Sequence, residues 1–153
     1  MAAAKRAHAI LSASSAEAWI ECGQFVLAKE LYPQEASEFA AEGTQAHECA
    51  EFLLKNEFKN EKLEPDFLDK DMEDYVNDYV TYVIETYNDL KRDNKDIMIF
   101  IEQKLDFSNI VPYGFGTGDC VIIGGNNLHV IDLKYGKGVA KFANHNQQLM
   151  LYG

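Results

Sequence analysis

Gly116-Thr-Gly-Asp-Cys-Val-Ile-Ile-Gly-Gly-Asn-Asn-Leu-His-Val-Ile-Asp-Leu-Lys-Tyr-Gly-Lys-Gly138 consists of two short apolar runs on either side of Gly125-Asn126. Two such residues between β-favouring runs predict a hairpin with a two-residue loop. In an antiparallel hairpin centred there, facing residues carry numbers that sum to 251. Asp119 then faces Asp132, and Lys134 follows two residues later on the same side. Val121, Ile123, Leu128 and Val130 complete that face. Two facing carboxylates repel unless a cation lies between them, so the spacing points to a metal site. The alternative is a pair of strand-end acids near water, and a register slip of one residue would separate them.

Ile97 to Leu105 reads as a strand, and Glu102-Gln-Lys104 within it repeats the acid-x-Lys pattern of Asp132-Leu-Lys134. Only the second has an Asp opposite it, so Glu102 is an accessory group or a solvent-facing strand residue. Gly114, Gly116 and Gly118 precede a strand rather than opening a helix, which excludes a phosphate-cradling dinucleotide loop. They are expected to let the backbone turn tightly into the hairpin. Upstream, Asp71 to Arg92 is the clearest helix: Met72, Tyr75, Val76, Tyr79, Val80, Val83, Ile84, Tyr87 and Leu90 recur at steps of three and four, the spacing of a core-facing stripe. Asn56 to Lys70 reads as a connection. Gly43 is expected to open a preceding helix, with Thr44 as N-cap and Ala46, Cys49, Ala50, Leu53 and Leu54 on its buried face. His47 and Glu51 project together from that helix; they can bind a metal or form an ordinary hydrogen bond. Residues up to Ile10 read as a lead-in, Ser14 to Glu17 as a capping box before a short helix with Trp19 and Ile20, and Pro33 as the end of the next apolar segment. After Gly138 the pattern becomes helical near Asn146, with Gln148 and Tyr152 four apart.

The chain has 153 residues, 47% of them hydrophobic, with nine Phe and eight Tyr. That is enough for one domain with a real core. No apolar run approaches the roughly 18 residues of a membrane span, and the first residues lack the apolar core of a signal peptide. A cytoplasmic location and no membrane partner are the expectation. The formal charge of −11 argues against a general electrostatic nucleic-acid binder. The charge is uneven, however. Glu57 to Asp96 holds thirteen acids against six bases, whereas Leu133 to Gly153 carries only Lys134, Lys137 and Lys141. Such a locally basic edge is compatible with a phosphate-bearing substrate. The three cysteines, Cys22, Cys49 and Cys120, show no CxxC spacing, which fits free thiols in a reducing compartment and gives no zinc signature.

Gly43-Thr-Gln-Ala-His47, Gly116-Thr-Gly-Asp119, Ile131-Asp-Leu-Lys134 and Gln148-Leu-Met-Leu-Tyr152 occur in the order found in the PD-(D/E)xK nuclease superfamily. The chain resembles its RecB-like branch of phage-encoded exonucleases from about Leu11 onward. The resemblance implies that His47, Asp119 and Asp132 ligate a divalent cation. Lys134 would orient or activate the attacking water, with Gln148 and Tyr152 supporting the site or touching the nucleic-acid strand. Glu51 and Glu102 are accessory candidates. Oxygen-rich ligation suits Mg²⁺ or Mn²⁺, and the imidazole tilts the choice towards Mn²⁺. The partners implied are DNA and a phage recombination protein. Leu11 to Cys22 is also similar to the start of relatives that bind an iron–sulfur cluster through one early and three late cysteines. The three late ones are absent, and Cys22 alone cannot hold a cluster, so none is expected here.

The expected fold is α/β or α+β, one nuclease-like domain with a small mixed sheet and a central hairpin flanked by helices. The sequence stops within the Gln148–Tyr152 helix, which suggests a truncated or split protein, and the resemblance implies a further strand beyond that helix. Two functional readings follow: a metal-dependent exonuclease, and a non-catalytic module that keeps the nuclease fold for nucleic-acid binding or protein interaction.

Overall fold

A computed structural model describes residues 9–32, 38–136 and 141–153. Along the chain a 3-10 turn, Ala13–Ser15, leads into α1 (Ala16–Glu21) and α2 (Phe25–Leu31). Then follow α3 (Glu38–Lys59), α4 (Lys70–Asp93), β1 (Ile97–Asp106), β2 (Phe115–Gly124), β3 (Asn127–Ile131) and α5 (Gln147–Tyr152). Helices and a three-stranded sheet of order β1-β2-β3 make this an α+β protein. The expectations for the first eight residues, Pro33, Lys137 and Gly138 lie outside the described residues.

The hairpin forms in the register read from its turn. Gly124 pairs with Asn127, Ile123 with Leu128, Ile122 with His129, Val121 with Val130 and Cys120 with Ile131. Gly125 takes φ +58°, as the first position of a II′ turn requires. A Cβ there would stand 2.2 Å from Asn94 Oδ1, so glycine is demanded by both conformation and space. The ladder ends at Cys120 and Ile131, which puts Asp132 one step past the end of β3. The deeper burial is on the face opposite Asp119. Cys120 and Ile122 are fully buried, whereas Leu128 is 45% exposed.

The chain forms two compact units. One comprises Ala36–Gln103 and Gly118–Ala140, the other Met1–Glu35, Lys104–Thr117 and Lys141–Gly153. In the first, Met72, Val76, Tyr79, Val80 and Val83 of α4 pack with Ala46, Cys49, Ala50 and Leu54 of α3, and with Ile101, Cys120, Ile122 and Leu133. Burying each larger aliphatic side chain stabilises the fold by about 1.5–3 kcal/mol. Asp69 caps α4 by accepting from Met72 N at 2.8 Å. One tyrosine of the expected stripe, Tyr75, is exposed, because it falls outside the arc occupied by the buried apolar residues. The second unit has its own core of Ala13, Phe107 and Val111, with Leu11, Trp19, Leu151 and Tyr152 around it.

Three local expectations are corrected. Gly43 and Thr44 lie inside α3, which begins at Glu38. Thr44 Oγ1 donates to Ala40 O at 2.9 Å, the back-bonded state of a mid-helix threonine rather than a cap. Ser15, not Ser14, occupies the N-cap of α1 and makes no side-chain cap; the preceding 3-10 turn already ties Ser15 N to Ser12 O. Gly116 and Gly118 lie within β2, so they do not serve a turn. A Cβ at Gly116 would stand 2.3 Å from the Tyr152 hydroxyl, and one at Gly114 would stand 2.5 Å from the Phe107 ring. These two glycines make room for aromatic rings.

Candidate metal centre

Four core residues fix the positions of four polar ones. Ala46, Ile101, Cys120 and Leu133 are buried in one cluster, and their immediate chain neighbours are His47, Glu102, Asp119 and Asp132. Each polar side chain therefore projects from a backbone anchored by apolar packing, which is how a rigid site is built.

Donor atoms of His47, Glu102 and Asp119 lie within 4.8 Å of one another. His47 Nδ1 is 3.2 Å from Asp119 Oδ2, with side-chain exposures of 32% and 12%. The same oxygen accepts from Leu133 N at 2.7 Å, so Asp119 holds the segment leaving β3 as well as the imidazole. Asp132, with its side chain only 7% exposed, is ion-paired with the half-exposed Lys134. Glu51 is paired with Lys55 one turn along α3.

The electrostatics are those of too many acids in too little water. Burial raises the Glu102 carboxyl to about 7, reinforced by the charges of Asp119 and Glu51 and opposed by His47 and Lys55. Burial and the Asp119 charge raise Asp132, and the Lys134 hydrogen bond draws it back. The hydrogen bond to Asp119 raises His47, burial opposes this, and the charges of Asp119, Asp132 and Glu102 add to it. A group that gathers carboxylates against their repulsion is suited to a cation. The donor set fits a small hard dication with one imidazole ligand.

Glu102 is also set apart by its backbone. It sits within β1 at φ +52°, a left-handed conformation that costs a non-glycine residue on the order of 1–3 kcal/mol. Glu102→Gly is therefore expected to raise metal-free stability by about 1 kcal/mol, read in a urea melt, while weakening Mn²⁺ binding in the same sample. A variant less stable than wild type would show that the strain is not there.

Asp119 and His47, which the resemblance placed in one ligand set, lie together; Glu102 joins them, while Asp132, which the spacing set opposite Asp119, is not in that donor group. The repeated acid-x-Lys pattern was the available signal for Glu102; its backbone conformation was not legible. Gln148 and Tyr152 belong to the other unit. There the Tyr152 hydroxyl donates to Thr117 O at 3.1 Å, two residues before Asp119 in β2. Lys141, part of the expected basic edge, pairs with Glu17. Cys22, Cys49 and Cys120 are free thiols, with only Cys22 exposed. No described helix is long and apolar enough to cross a membrane.

Fold and site together define an α+β protein with a half-buried carboxylate and imidazole group at one end of a hairpin. The chain belongs to the family described as "Protein of unknown function (DUF2800)", whose model matches residues 8–153. No solved structure matches it.

Proposed function

We propose that this protein is a metal-dependent nuclease that hydrolyses phosphodiester bonds in DNA as an exonuclease, in the manner of the RecB-like branch of the PD-(D/E)xK superfamily and in a phage or prophage recombination setting. The observation that carries the reading is the convergence of His47, Glu102 and Asp119 donors within 4.8 Å, beside an Asp132–Lys134 pair. His47, Asp119 and Asp132 would hold Mg²⁺ or Mn²⁺, with Glu102 as a further carboxylate at the same place. A cation held there supplies positive charge against the scissile phosphate and makes a water molecule more acidic.

The chain's own groups do the rest. Leu133 N–H and His47 fix one oxygen of Asp119, which limits its freedom before substrate arrives. Asp132 holds the Lys134 ammonium at the rim, where it is exposed enough to meet an attacking water or a phosphate oxygen. An ammonium placed there orients that water and offsets developing negative charge, a role of general acid–base and electrostatic type. The test is Mn²⁺-dependent cleavage of linear and circular DNA by the whole chain. Loss of linear DNA with circles spared supports an exonuclease. DNA binding without cleavage favours the non-catalytic module, and neither binding nor cleavage removes the nucleic-acid reading.

A further inference from the structure

Tyr79 is the residue that neither the core nor the proposed chemistry accounts for. It lies on the buried face of α4 and is only 9% exposed. Its hydroxyl oxygen is the buried side-chain polar atom that lacks a hydrogen-bond partner among the described residues. Leaving a hydroxyl unpaired in the interior is destabilising, and phenylalanine would fill the same space without that cost. Apolar packing alone therefore does not explain a tyrosine here. Tyr79 shares its core cluster with Ala46, Ile101, Cys120 and Leu133, the neighbours of the four site residues. The charges felt by its phenol, after burial itself, include those of Asp119, Asp132 and Glu102.

We propose that Tyr79 is a positioning residue of the metal centre, whose buried O–H donates to the Asp119 and Asp132 carboxylate group once a cation draws those carboxylates together. This rests on the metal-site reading above. The metal-free state leaves the hydroxyl unpaired, the loaded state pairs it, and the difference adds to cation affinity. Groups that hydrogen-bond to metal ligands in this way are typically worth 10- to 100-fold in affinity.

The test is Tyr79→Phe, measured by calorimetric Mn²⁺ titration and by urea melts without metal, with Tyr87→Phe on the same helix as a control. Tyr87 is a partly buried neighbour of the core and packs edge-on against Phe58. Tyr79→Phe is expected to be as stable as wild type or more stable without metal, and to bind Mn²⁺ about 10-fold more weakly; Tyr87→Phe should bind as wild type does. Unchanged Mn²⁺ affinity in Tyr79→Phe overturns the role of Tyr79 while leaving the metal site standing. A wild-type protein that binds no Mn²⁺ overturns both.

Discussion

Lys134→Ala is expected to lower Mn²⁺-dependent DNA cleavage by 10² or more, about 2.7 kcal/mol of transition-state stabilisation, with folding and cation binding nearly unchanged. Lys134 is half-exposed, and the buried residue beside it is Leu133. Removing the ammonium takes a positive charge away from Asp132, and a bound cation can replace that charge. The deficit therefore falls on the step in which water meets phosphate. The measurement is single-turnover cleavage at saturating Mn²⁺ beside a titration of Mn²⁺ affinity. Wild-type turnover in the variant would remove Lys134 from the chemistry. A variant that has lost cation affinity as well would make Lys134 a structural support of Asp132.

Asp119→Asn should produce the largest effect on the cation itself. The amide oxygen can still accept from Leu133 N, so the chain leaving β3 keeps its anchor. Two charge effects then oppose each other: relief of repulsion with Glu102 and Asp132, and loss of attraction to His47. Metal-free melting should stay near that of wild type. Mn²⁺ at about a hundred times its dissociation constant should stabilise wild type by roughly 2.7 kcal/mol, a rise of roughly 5–10 °C in melting temperature. The variant should show little of that rise, because a neutral amide is a poor ligand for a hard cation. Equal shifts in the two proteins would place any bound Mn²⁺ elsewhere.

Much of this arrangement is legible in the sequence because it depends on local rules. The Gly125-Asn126 turn sets the register, and the register aligns β2 with β3 as far as Cys120 and Ile131, one step short of Asp119 and Asp132. The apolar spacing of α4 is likewise sufficient to find the helix and most of its buried face. Thr44 is different. A Ser or Thr before an apolar periodic run reads as a cap, yet α3 starts five residues before Gly43, and the Thr44 hydroxyl bonds back to Ala40 O instead. Gly116 misleads for a related reason. Glycine before a strand suggests a turn, and the Tyr152 ring that needs the space comes from distant sequence.

Glu102 and Tyr79 mark the limit for the site. One is held at a positive φ that no residue pattern encodes, and the other looks like any member of an apolar stripe until its hydroxyl is found unpaired. Glu102 is one of the site's own side chains, and Tyr79 packs in the core cluster that holds their chain neighbours. Departures from local rules are expected where function has set the conformation.

The most direct measurement is a calorimetric titration of Mn²⁺ into the whole chain and into its Asp119→Asn form. A divalent centre at His47, Glu102, Asp119 and Asp132 predicts saturable binding to wild type at about one equivalent, and its loss in the variant. No saturable binding to wild type, or the same binding in both proteins, would contradict it.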